Sequence, residues 1–143
     1  MRFVYSTGGR EKYFKAITGV RDCVVRAISI ATEKDYLEVY NAINELAKKE
    51  RTGCRKHKKS NARNGVYKRT FHKYLESIGW KWIPTMTIGS GCRVHLCEEE
   101  LPSGTLIVSL SKHLTCVKDG VLYDRYDCSR DENRCVYGYF TRA

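Results

Sequence analysis

Residues 113–127 read HLTCVKDGVLYDRYD. Asp119-Gly120 is a two-residue turn signal between two apolar-rich runs, because both residue types tolerate the positive φ of a tight hairpin. A two-residue turn pairs Lys118 with Val121. Thr115 then falls opposite Asp124, and His113 opposite Tyr126. Cross-strand partners share a face, and so do residues i and i+2. His113 and Asp124 are therefore predicted to project from one side, one diagonal apart, with Cys116 on the other side. A slip of one residue would instead bring Asp127 opposite His113, which makes Asp127 the reserve partner.

Working outward, Pro102-Ser103-Gly104 turns into a strand, TLIVSL, and RCVYGYF (134–140) reads as the last strand. WKWIP (80–84) places Trp80 and Trp82 on one face, where large rings read as sheet core ahead of a substrate cleft. Before residue 80 the apolar period is helical. Asp22 is a good N-cap for a helix starting at Cys23, and DCVVRAISIAT is apolar nearly all round, as a buried helix would be. Thr32 is read as the cap of a second helix, with Asp35 in a capping-box position and Gly53 as the stop. The stretch 54–66, CRKHKKSNARNGV, has no apolar period and reads as a loop. A third helix is predicted from Lys68 to Ile78, and Arg2 to Tyr5 reads as a short strand. Helices followed by an antiparallel sheet define an α+β fold. The chain is read as one domain, 1–143, with a basic insert at about 48–73.

The composition supports a globular body. The chain has 143 residues, 42% of them apolar and 11% aromatic, which suits one core and excludes a disordered tail. No apolar run approaches the roughly 18–20 residues of a membrane span. The first residues, MRFVYSTGGREKYF, lack the apolar core of a secretory signal, so a cytoplasmic location is expected. The net charge of +10 is local. Residues 48–73 carry eleven Lys or Arg and one acid, Glu50, while the remaining residues balance at 15 of each sign. An anionic partner would meet that arm, foremost at Arg55, Lys56, Lys58, Lys59 and Arg63. With Tyr67 and His57 interleaved, the arm suits a nucleic-acid backbone or an acidic protein. The seven cysteines, odd in number and irregularly spaced, argue against a disulfide framework.

Three residues carry the chemistry. Cys23 opens a buried helix, where unpaired N–H groups and the positive end of the helix dipole favour a thiolate. His113 opens a strand and supplies the imidazole that a thiol nucleophile needs. Asp124 shares its face and can orient the ring. Arg26, one turn along from Cys23, reads equally as a group that lowers the thiol pKa and as a structural ion-pair partner. Metal binding is the competing reading, with ligand spacing at Cys54 and His57 and at Cys92, His95 and Cys97, while Cys128 and Cys135 are far apart in sequence but could converge. No segment shows the two Cys-x2-Cys pairs of a zinc ribbon, so no metal and no cofactor is assigned.

A Cys at the start of an early buried helix, a His opening a strand and an Asp on the next strand resemble the papain-like cysteine peptidase superfamily. The likeness is closest to small bacterial and phage members, including bacteriocin-processing peptidase and cell-wall amidase-like domains. It is carried by DCVVRAISIAT around Cys23 and by PSGTLIVSLSKHLTCVKDGVLYDRYD around His113 and Asp124. The resemblance implies a thiol peptidase or amidase acting on a peptide or protein substrate through a thioester, in the host cytoplasm if the chain is phage-encoded. It also implies an oxyanion donor, commonly a Gln shortly before the Cys, and this chain contains no Gln. The Cys23 backbone N–H supplies one donor, and Thr18, Arg21 and Asn61 are candidates for the second. The alternative is a non-catalytic binding protein on the same fold, engaging nucleic acid or an acidic host protein through the basic arm.

Overall fold

The computed structural model describes residues 1–52 and 58–143. Its elements are β1 (Arg2–Tyr5), α1 (Cys23–Thr32), α2 (Tyr36–Ala47), α3 (Lys68–Ser77), β2 (Trp80–Pro84), β3 (Thr105–Leu110), β4 (His113–Lys118), β5 (Val121–Asp124) and β6 (Gly138–Arg142), with short 3-10 turns at Arg10–Lys12 and Glu98–Glu100. The fold is α+β, with three helices and one six-stranded sheet in the order β1-β5-β4-β3-β6-β2. The expected antiparallel sheet is in fact mixed. β1 lies parallel to β5, with Tyr5 beside Asp124, and every other neighbouring pair is antiparallel. A four-residue strand far from its partner in sequence carries no local sign of its direction, so this pairing could not be read from pattern.

The hairpin register is the predicted one. Lys118 pairs with Val121, Val117 with Leu122 and Cys116 with Tyr123. Asp119 and Gly120 take φ of 46° and 78°, the left-handed pair that a two-residue turn demands. Both faces of the central strands are covered. The helices pack on one face, where Val25, Ile28, Leu75, Cys116 and Phe140 are fully enclosed. Connections cover the other, where Leu96 and Val136 pack with Val117 and Leu122 of the strands. That double burial explains why apolar residues fall on both faces of TLIVSL, with Leu106, Ile107 and Val108 consecutive and buried. Trp80 and Trp82 both belong to the helix-side core, and Trp82 packs against His72 and Phe140.

Several local expectations are corrected. Thr32 does not cap α2. It ends α1, donating from Oγ1 to the Ile28 carbonyl at 2.7 Å and accepting the Lys34 N–H at 3.2 Å. This bond to the preceding turn competes with capping. Asp35 holds the N-cap position, and its carboxylate accepts from the Tyr13 hydroxyl. Asp22 precedes α1 as expected but makes no side-chain cap bond, because Arg26 and Tyr36 occupy its carboxylate. α2 closes at Ala47, earlier than the predicted stop, and Gly53 lies outside the described residues. The last strand begins at Gly138, later than predicted, because residues 134–136 pair instead with 94–96. Leu96 N–H donates to Arg134 at 2.8 Å, and Val136 N–H to Val94 at 2.8 Å. That pairing brings together Cys92 and Cys135, which form a disulfide. The expectation that all cysteines would be thiols or metal ligands therefore fails for this pair. Two residues separated by 43 positions meet through a loop–loop contact that spacing does not reveal.

Candidate active site

Cys23, His113 and Asp124 come from three elements and meet at one end of the sheet. α1 packs against β4, and the first residue of the helix, Cys23, shares a cleft with the first residue of the strand, His113. Cys23 and His113 line one cleft of about 220 Å³. Asp124 ends β5 beyond the Cys116–Tyr123 pair, and the same ladder puts Thr115 across from it. Its Oδ2 lies 2.7 Å from His113 Nε2 and accepts the Thr115 hydroxyl at 2.7 Å. Its Oδ1 accepts Arg26 Nη2 at 3.1 Å and the Arg125 N–H at 2.7 Å. With Nε2 committed to Asp124, Nδ1 is the ring nitrogen left to serve the thiol. Tyr126 packs on the imidazole, with ring centroids 5.5 Å apart.

Burial alone would push the Asp124 carboxyl up, yet the His113 hydrogen bond and charge, with Thr115 and Arg26, hold it at about 2. Burial likewise pushes His113 down, and the bond to Asp124, joined by Cys128 and Cys23, raises it well above the usual imidazole range. Burial pushes Cys23 up, and His113, the Leu114 backbone and the Arg26 charge bring it below the ordinary thiol. The opposed shifts favour a thiolate–imidazolium pair. Burial sends two other thiols the opposite way, Cys97 up to about 11 and Cys116 to about 12.

A buried ionic chain supports the site. Arg26 bridges Asp22 and Asp124. Asp22 also accepts the Tyr36 hydroxyl at 2.5 Å, and Arg10 Nη1 donates to that hydroxyl at 2.9 Å. Arg10, Asp22 and Arg26 are almost fully enclosed, at 1%, 0% and 3% exposure. Charges this deep persist only when paired and hydrogen-bonded. Arg26 thus fills both roles weighed for it, ion-pair partner and source of positive potential at the thiol. Thr115 was legible from the hairpin arithmetic, since it faces Asp124 on the His113 side. Arg10 and Tyr36 had no local signal, and Cys128 was weighed only as a metal ligand.

The remaining candidates divide. Asp127 is not the orienter. Its Oδ1 accepts the N–H and hydroxyl of Ser129 at 3.0 and 2.7 Å, because the predicted register holds. Of the oxyanion candidates, Cys23 and Arg21 line the cleft. Thr18 is exposed and does not line it, and Asn61 spends its Oδ1 on the Arg63 N–H of its own turn. Asn64, which the sequence reading missed, does line it, and its Oδ1 is turned to Arg63 Nη1 at 3.0 Å. Lys58 and Lys59 line an adjoining groove, whereas Arg63 lines neither. Arg55 and Lys56 lie outside the described residues.

Cys54 and His57 also lie outside them. Cys92, His95 and Cys97 do not form a ligand set, since Cys92 is bonded to Cys135 while His95 and Cys97 both bind Glu100. Cys128 and Cys135 do not converge for the same reason. Among the described residues, His113, Asp124 and Cys128 are the group of three whose ligand atoms lie within 4.8 Å of one another. A metal there would have to displace the Asp124 bonds to His113 and Thr115, so the donor set fits an ion poorly. No described helix is long and apolar enough to cross a membrane. Searches against protein-family models, curated proteins and solved structures return no match for this chain.

Proposed function

We propose that this protein is a papain-like thiol hydrolase that cleaves a peptide or other amide bond. The observation that carries the reading is the His113 ring, held by Asp124 through Nε2 and facing Cys23 in a shared cleft. The Cys23 thiolate attacks the carbonyl carbon, forming the C–S bond and moving the π electrons onto oxygen. That oxyanion is received by the Cys23 backbone N–H, which has no helical partner at this position, and by the Asn64 carboxamide or Arg21. As the tetrahedral centre collapses, the C–N bond breaks and His113 protonates the leaving amine. Water then attacks the thioester, His113 takes its proton, and the acid leaves with Cys23 regenerated as thiolate. An amine in place of water would give acyl transfer.

A second reading keeps the fold and discards the chemistry: a binding protein that engages nucleic acid or an acidic protein through its basic face. The cationic groove beside Cys23 favours it.

Iodoacetamide or a peptide vinyl sulfone at pH 6, read by mass spectrometry of the tryptic peptides, separates the two. The hydrolase predicts that Cys23 is alkylated well ahead of the other free thiols. His113→Ala should abolish that preference while circular dichroism stays unchanged. Equal labelling of all accessible thiols would move the reading to the binding protein.

A further inference from the structure

The cleft over Cys23 and the neighbouring groove of about 810 Å³ are walled by the same residues, since Arg21, Asn64, Gly65 and Val66 border both. The cleft adds Lys68 and Lys112, and the groove adds Lys58 and Lys59. Five cations thus line two adjoining depressions that share a wall, and no Asp or Glu lines either one. Lys34 and Lys48, outside these depressions, sit beside the carboxylates of Glu38 and Glu45. Among the described residues, none of Arg21, Lys58, Lys59, Lys68 and Lys112 makes a salt bridge. Lys68 lies over the Tyr137 ring at 5.3 Å, and Lys59 donates to the Lys48 carbonyl at 2.8 Å. Like charges gathered without counter-charges repel one another, and a concave wall focuses their field on whatever enters.

We infer that the cleft and the groove together form the substrate channel and that the substrate is an acidic peptide segment, its carboxylates held by Arg21, Lys58, Lys59, Lys68 and Lys112 while Cys23 meets the adjacent carbonyl. The inference rests on the hydrolase reading and makes the anion the substrate itself instead of a separate partner. An acidic peptide is favoured over nucleic acid because the groove adjoins the cleft that holds a thiol and an imidazole. That pair needs an acyl carbon, and a phosphodiester has none.

The test uses the full chain and three peptide vinyl sulfones that differ only in flanking residues: Glu-rich, Gln-rich and Lys-rich. Cys23 alkylation should be about tenfold more efficient with the Glu-rich probe than with the Gln-rich one at low salt, weakest with the Lys-rich one, and the preference should vanish near 0.5 M salt. Lys58→Glu with Lys59→Glu should narrow or reverse the order, whereas Lys34→Glu, outside both depressions, should leave it in place. Iodoacetamide on the unmodified protein reports the hydrolase reading separately. If Cys23 is its preferred target yet the three probes react alike, the acidic-substrate inference falls and the hydrolase stands. If Cys23 shows no preference for iodoacetamide, the hydrolase falls first. Protection of Cys23 by a single-stranded oligonucleotide, with none from a polyglutamate peptide, would overturn the inference in favour of nucleic acid. The probe comparison needs no variant, so a misfolded double substitution leaves it decisive.

Discussion

Arg26 is the guanidinium on which two enclosed carboxylates depend, and its Nε is itself buried without a hydrogen-bond partner. Arg26→Met would leave Asp22 and Asp124 short of their shared counter-charge. The expected loss is about 3–5 kcal/mol in urea denaturation, the range for breaking a buried pair from one side. Thr115→Val removes one of the donors on Asp124 Oδ2 and should cost about 1–2 kcal/mol. Asp124 also sets the acid limit. Its folded carboxyl, at about 2, lies below the ordinary 3.8, so the unfolded chain takes up its proton first as pH falls. The stability it contributes is full above 3.8 and is lost as pH drops toward 2, a fall of about 2 kcal/mol visible in urea midpoints between pH 5 and 2. His113 acts in the opposite sense. Its raised pKa gives a contribution that is complete below the ordinary 6.5 and declines as pH rises beyond it.

α1 sits where it does partly because the chain ahead of it comes very close. Gly8, at φ 72°, has no side chain, and a Cβ there would stand 3.2 Å from the Arg26 carbonyl oxygen. Gly8→Ala combines a disfavoured backbone angle with a tight contact, so it should destabilise by about 1–3 kcal/mol and lower Cys23 alkylation through displaced α1. On the opposite face, the Cys92–Cys135 bond ties the connection after β2 to the approach of β6. Dithiothreitol should lower the thermal midpoint, with a loss of about 2–4 kcal/mol. These contacts mark how far pattern could reach. The buried α1, the Asp119-Gly120 turn and the His113–Asp124 face follow from patterns of a few residues, and the structure repeats them. The Thr32 boundary failed because a threonine hydroxyl serves the preceding turn as readily as the following one. Arg10, Asn64 and the parallel seat of β1 were illegible, because each depends on segments that meet only once the sheet is assembled.

The charge distribution separates into two regimes. Inside, Arg10, Arg26, Asp22 and Asp124 cancel, and proton transfer from Cys23 to His113 leaves that balance unchanged. The sequence concentrates the excess of +10 on residues 48–73, and of its described cations Lys58, Lys59 and Lys68 border the depressions beside Cys23. Interior pairs should therefore resist added salt while the exterior field is screened within about 8 Å at physiological ionic strength. Stability measured at 0.05 and 0.5 M salt should move far less than the capture of acidic probes.

The seat of β1 beside β5 has a further consequence. Tyr5 aligns with Asp124, and the Ser6 N–H closes on the Asp124 carbonyl at 2.9 Å. β1 lies at the sheet edge and has β5 as its one strand neighbour, so its pairing waits on the hairpin that supplies β5. The same hairpin carries His113 and Asp124, so a polypeptide cut short before it would hold the Cys23 thiol without the imidazole and carboxylate that adjoin it here.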